Sequence, residues 1–135
     1  MLFGSDLTNG FLEVLSALSE VNLSPTEAGE VLRERLRTGI QTFVALAGNR
    51  VVGTASLLME KKFIHGGSYV GHIEDVAVHP NYQGLGIGKA LIRRIQQEAR
   101  KVGCYKVILN CKEHNVAFYE HLGFRRNEIE MRFDL

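Results

Sequence analysis

Glu74 and Asp75 stand side by side in the largely apolar run GHIEDVAV, residues 71–78. An ionised carboxylate loses free energy where water is excluded, so two of them in such a segment need a purpose. A carboxylate beside an ammonium group can orient it and take its proton, directly or through water. Neighbouring strand residues point to opposite faces, so the pair can share a task only where a bulge splays the strand. The competing reading is a solvated edge, and Ile73, Val76 and Val78 around the pair argue against plain exposure.

Just downstream, QGLGIGKA places Gly84, Gly86 and Gly88 ahead of a basic helical pattern. A strand that ends in a glycine-rich turn and feeds a helix offers free peptide N–H groups and the positive end of a helix dipole. That is a seat for phosphate; a loop with chance glycines is the alternative. Two nucleotide motifs are disfavoured. A P-loop needs Ser or Thr after its Gly-Lys pair, and Gly88-Lys89 is followed by Ala90. A dinucleotide fingerprint belongs at the first strand–helix turn with an acid closing the next strand, which here closes on Asn110.

Cations gather in KKFIHGGS, where Lys61, Lys62 and His65 share one glycine-loosened loop, and Lys106 follows on a later strand. A solvated basic loop and an anion site are both open readings. His72, His79, His114 and His121 have no HxH or HExxH spacing, so no metal is expected. Cys104 and Cys111, seven residues apart in one extended segment, would face opposite ways, which disfavours an intrachain disulfide and suggests a reducing, cytoplasmic setting.

These groups must be held by a chain of 135 residues, a length that fits one domain, residues 1–135, with its own core. Sixteen basic against 15 acidic residues leave a net charge of +1, which gives no electrostatic reason for a nucleic-acid or membrane partner. The first ten residues lack the basic end and sustained apolar stretch of a signal peptide, and the apolar runs are too short to span a bilayer.

The periodicity predicts a first helix over about Leu7 to Leu18, and a second after Ser24-Pro25, where Glu27 completes a capping box and Gly39 marks the end. Ala28, Val31, Leu32 and Leu36 should line its inner side. TFVALA and VVGTASLLME read as strands joined at Gly48-Asn49-Arg50, and YVGHIEDVAV as the next. A helix from about Gly86 to Val102 should bury Leu91, Ile95, Ala99 and Val102. CYKVILN reads as a strand, NVAFYEHL as a short helix, and EIEMRFDL as a last strand. The order is that of an α+β fold, a sheet with helices on its faces.

The segment Gln83-Gly84-Leu85-Gly86-Ile87-Gly88, within VAVHPNYQGLGIGKALI, resembles the acetyl-CoA loop of the GNAT acetyltransferase superfamily, and NVAFYEHLGF resembles a segment in that superfamily's later half. The resemblance implies the GNAT fold, with a central mixed, mostly antiparallel sheet, helices on both faces and a shortened first strand. It implies that peptide N–H groups of residues 83–88 bind the diphosphate of acetyl-CoA, with Lys89 and Asn115 also at the cofactor. The strand at Val76, Ala77 and Val78 would pair with the pantetheine arm, a backbone N–H near Val76 would meet the oxyanion, and Tyr119 would serve the departing thiolate. A tyrosine merely packed under the C-terminal strand is the competing reading.

EKKFIHGGSYVGHIEDVAV and GCYKVILNC resemble the glucosamine 6-phosphate N-acetyltransferase family more closely, with similarity from about Asp6 to the C-terminus. That implies catalysis by Glu74, with Asp75 holding the sugar. Acceptor contacts carry over to Ser19, Lys62, Phe63, Ile64, His65, Tyr105 and Lys106. It also implies a homodimer whose sites draw on both subunits, no metal, and a place in UDP-N-acetylglucosamine biosynthesis. The pattern departs at three points. Asn110 replaces an acid that contacts the sugar, and an amide cannot take a proton. Asp134 replaces a substrate-binding arginine, for which Arg132 on the same strand face is a substitute. The family opens with a full strand, to which only Met1 to Phe3 could contribute here, so either the sheet has lost most of an edge strand or a dimer covers that edge. Alternatives are a GNAT enzyme with a polyamine, antibiotic or protein amine as acceptor, or a CoA-binding module without turnover. Cys111 as an acetyl-carrying nucleophile is not needed for direct transfer.

Overall fold

The computed structural model describes all 135 residues. Helices α1 (Phe11–Leu15) and α2 (Pro25–Arg37) precede strands β1 (Ile40–Ala47) and β2 (Arg50–Lys61). A helical turn α3 (Ile64–Gly67) leads to β3 (Tyr69–Val78). Helix α4 (Ile87–Val102), β4 (Cys104–Ile108) and α5 (Val116–Glu120) complete the order. The sheet runs β1-β2-β3-β4, antiparallel except for the parallel β3/β4 pair. It is the mixed, mostly antiparallel α+β arrangement expected.

Each face of the sheet carries a core. On one, α4 and α5 bring Leu91, Ile92, Ile95 and Tyr119 against Phe43, Leu57 and Ile73. On the other, Leu7, Phe11, Val14, Ala28 and Leu32 pack on Val51 and Ala77. Ser24 Oγ accepts the Glu27 N–H at 3.1 Å and the Ser24 N–H donates to Glu27 Oε1 at 3.4 Å, the reciprocal cap read from sequence and worth ~1 kcal/mol.

Four expectations need correction. The first helix is broken: a 3-10 turn spans Gly4–Thr8 and α1 only Phe11–Leu15. The break lies where the chain is pinned to β2, because the Val51 N–H donates to the Asn9 carbonyl at 2.9 Å and Gly10 lies hard against Val51. On α2, Val31 and Leu36 are exposed, since only a narrow stripe of the helix reaches the sheet and Val31 lines a cavity instead. On α4, Ile92 is fully buried while Val102 in the last turn is not. Residues 125–135 form no strand. A strand needs a neighbour to complete its ladder. No backbone hydrogen bond joins this segment to the rest of the chain, and Ile129, Met131, Phe133 and Leu135 are each at least 85% exposed. Residues 1–3 form no strand and meet the sheet through one backbone bond, the Leu2 N–H donating to the Thr42 carbonyl at 2.8 Å.

Candidate active site

Strand β3 organises the site. Its ladder with β2 pairs Ser56 with Glu74 and Thr54 with Ala77, so β3 holds one residue more than β2 between those pairs. Asp75 takes up the excess at φ +51°, in the left-handed region that costs a non-glycine residue roughly 1–3 kcal/mol. This is the bulge on which a shared role for the two acids depends. Glu74 lies on the face of its ladder partner Ser56, and Asp75 lines a cavity on that same face together with Ser56 and Thr54. Both carboxylates are exposed in the single chain, against the expectation of shelter, because the helices on that face bridge a cavity instead of packing down on it.

That cavity measures about 570 Å³ and lies between the α1–α2 segment and the sheet. Ser19 lines it, as do Glu20 and Arg35. Sequence reasoning had no signal for Arg35. Its Nη2 donates to Ser56 Oγ at 2.7 Å and to Thr42 Oγ1 at 3.1 Å, tying α2 to the sheet directly beside the acids.

The other edge of β3 opens midway. Its parallel ladder with β4 ends at His72–Ile108, so residues 73–78, with Val76, Ala77 and Val78 among them, have no strand on that side. Peptide groups left unpaired there can pair with an extended ligand. Past the strand, Gln83 Nε2 donates to the Val78 carbonyl at 3.2 Å and holds the turn to the strand end. Gly84 and Gly86 sit at φ +77° and +83°, and a Cβ at either would meet nothing within 4 Å, so the space over the turn is open. Gly86 is the N-cap of α4 and supplies no side chain to the first N–H groups of that 16-residue helix. Free N–H donors, an open turn and a helix dipole fit a diphosphate. Leu85 and Lys89 are exposed around it, and Gly88 approaches the Phe118 ring.

Tyr119 is buried on α5, edge-on to Phe118 and Phe124. Burial raises its phenol above the ordinary value, with Cys111 adding to the shift, so the group keeps its proton. Asn115 is exposed at the start of α5, and Asn110 is exposed just past β4.

The cationic end lies at the start of β3. His65 stacks on Tyr105 with ring centroids 4.0 Å apart, joining two residues that the sequence leaves 40 positions apart. His65 itself is left-handed at φ +51°, while Phe63 and Ile64 project into solvent. Lys106 is the ladder partner of Val70. Lys62 Nζ lies 3.3 Å from Glu60 Oε2, and Glu60 Oε1 meets His72 Nε2 at 3.0 Å. The His72 hydrogen bond, and then Lys62, hold the Glu60 carboxyl below its usual range. Neither Glu60 nor His72 was among the residues expected at the site. Arg132 is not brought to it in the single chain: it pairs with Asp134 at 2.7 Å on the exposed C-terminal segment. Both cysteines are free, and burial raises the Cys104 thiol. No group of three or more His, Cys, Asp or Glu side chains is placed to hold a metal ion, and no helix is long and apolar enough to cross a membrane.

A family model described as the acetyltransferase (GNAT) family matches residues 11–124. A glucosamine 6-phosphate N-acetyltransferase of Trypanosoma brucei brucei is 48% identical over 134 residues, covering 97% of this chain and 90% of the relative. Among solved structures, a Trypanosoma brucei acetyltransferase superposes with a TM-score of 0.93 at 48% identity, over 99% of this chain and 96% of the other. Glucosamine-6-phosphate N-acetyltransferase from Arabidopsis thaliana superposes with a TM-score of 0.95 at 31% identity, over 98% and 94%.

Proposed function

The chain belongs to the acetyltransferase (GNAT) family, and on that premise we propose that it acetylates the 2-amino group of D-glucosamine 6-phosphate. The acetyl group comes from acetyl-CoA; N-acetylglucosamine 6-phosphate and CoA are released, a step of UDP-N-acetylglucosamine biosynthesis. The observation that carries this reading is the layout of β3. One strand presents two carboxylates on a face, an unpaired edge over residues 73–78, and an open glycine turn beyond its end.

In this reading the donor lies along the free edge at Val76, Ala77 and Val78, with its diphosphate on the N–H groups of residues 83–88. Lys89 and Asn115 flank it. The acceptor lies on the side-chain face, where Asp75 and Ser19 hold the sugar and Asn110 offers its amide to hydroxyls. Lys62, His65, Tyr105 and Lys106 form the end that takes the phosphate, with Phe63 and Ile64 beside it. Glu74 removes the ammonium proton through water, and the free amine attacks the thioester carbonyl in a ternary complex. A backbone N–H at Val76 stabilises the oxyanion, and Tyr119, kept protonated by burial, donates to the departing thiolate.

The reading includes a cytoplasmic, single-domain homodimer. The support for the dimer is the C-terminal segment, where alternate residues Ile129, Met131, Phe133 and Leu135 expose an apolar stripe that nothing in the chain covers. Burial of that stripe by a second subunit would also carry Arg132 toward the partner's site. The deciding assay measures thiol release from acetyl-CoA with glucosamine 6-phosphate and with glucosamine. Much faster release with the phosphorylated sugar is expected; equal rates would mean that no phosphate pocket exists. Sedimentation of the chain with and without residues 127–135 tests the dimer, which the shorter chain should lose.

A further inference from the structure

His72 occupies a position that none of the roles above uses. It precedes Glu74 by two residues on β3, and so shares its face. Across the ladders its partners are Leu58 on β2 and Ile108 on β4, and the next pair along that face sets Val70 against Lys106. Its Nε2 is held 3.0 Å from Glu60 Oε1, and the same carboxylate holds the Lys62 ammonium at 3.3 Å through its other oxygen. The ring is about a quarter exposed, at 27%, so it is anchored yet reachable.

Distance along the strand makes this position matter. Two residues of strand span ~6.6 Å, a reach of the same order as that from the amine of an amino-sugar 6-phosphate to its phosphate group. An acceptor whose amine meets Glu74, and which runs toward the cationic end of β3, therefore brings its phosphate beside His72. Lys62 lies one carboxylate away, and Lys106 stands on the adjoining strand. With Nε2 engaged by Glu60 Oε1, Nδ1 is the ring nitrogen left to face a phosphate in that place.

We propose that His72 is a specificity-determining residue that binds the acceptor's phosphate, with Glu60 as the positioning residue that holds both His72 and Lys62 for that purpose. The assignment rests on the acceptor reading above and adds to it the group that measures the distance from amine to phosphate. A histidine present only to stabilise the sheet would affect every acceptor alike.

The test compares KM and kcat for glucosamine 6-phosphate and for unphosphorylated glucosamine. His72→Gln should raise KM for the phosphorylated sugar about 10-fold, the loss of one charge-assisted hydrogen bond. Turnover number, acetyl-CoA KM and the slow use of glucosamine should stay within about 2-fold. His72→Arg should restore KM to within about 3-fold of the unsubstituted protein, because a guanidinium supplies both donors and charge. Glu60→Gln leaves the ring in place but loosely held; it should give the same pattern at about 3-fold, and serves as the second variant if His72→Gln does not fold. An unchanged KM in His72→Gln overturns the assignment, as does an equal loss with both sugars. An unsubstituted chain inert toward glucosamine 6-phosphate overturns the acceptor reading and this assignment with it.

Discussion

Gly53 lies near the start of β2, beneath the first turn of α4. A Cβ there would lie 2.9 Å from Ile87 Cγ2, 3.2 Å from Leu91 Cδ1 and 3.5 Å from the Ala45 Cβ. Carbon atoms pack best near 3.5–4.0 Å, so Gly53→Ala requires Ile87, in the first turn of α4, to give way by ~0.6–1.1 Å. Overpacking of this kind costs roughly 1–3 kcal/mol, and the better strand propensity of alanine returns about 0.5–1 kcal/mol. The net loss of about 1–2 kcal/mol should lower Tm by ~3–8 °C in a domain of this size. Ile87 is itself one of residues 83–88, so the displacement also reaches the peptide N–H groups proposed to hold the diphosphate. KM for acetyl-CoA should rise about 10-fold while KM for the acceptor stays within about 2-fold, a misplacement of binding groups without damage to the chemistry. Thermal unfolding followed by circular dichroism, paired with thiol-release kinetics, reads both effects. Gly4→Ala is the control, since nothing lies within 4 Å of the added methyl. An unchanged Tm, or a KM defect confined to the acceptor, would refute the claim that close packing of α4 on β2 sets the donor site.

Glu74→Gln should lower kcat about 100-fold with acetyl-CoA affinity retained, as read by calorimetric titration; lost affinity would reassign the residue to structure. Tyr119→Phe should slow turnover and also flatten the alkaline side of the stability profile. Burial raises the phenol above its ordinary 10.0, so the unfolded chain ionises first; stability is intact below that pH and lost as pH rises through the higher folded value. Urea midpoints measured from about pH 9 upward should fall less steeply in the variant. Arg35→Met should cost about 1–3 kcal/mol in urea unfolding, since two bonds to the sheet go, although Thr42 and Ser56 remain within reach of one another at 3.4 Å. An unchanged midpoint would mean that Arg35 does not tie α2 to the sheet.

Local signals in the sequence identified local structure. The Ser24/Glu27 cap, the turn after β1 and the amphipathic α4 all form where short-range chemistry predicts them. Helix α1 is shorter than its apolar pattern, which continues through Gly10, because the break is imposed by a contact with Val51 far along the chain. The C-terminal strand failed for a related reason: EIEMRFDL has strand-like alternation, but hydrogen bonds need a neighbour and the chain supplies none. At the site, the acids and glycines were readable, and the need for a bulge followed from the pairing of Glu74 with Asp75. Arg35, Glu60 and His72 were not. Each matters through neighbours across a ladder or between layers, and register is invisible to spacing along one segment.

The splitting of β3 from β4 after His72 has a consequence for how the two reactants are aligned. If the donor docks on the peptide edge of β3 and the acceptor on its side-chain face, one covalent ribbon about ten residues long references both. Their mutual offset is then governed by the stiffness of that ribbon and not by the docking of separate lobes. Loosening of α2 or of the C-terminal segment would thin the bound population long before it blurred the approach of nitrogen to carbonyl carbon.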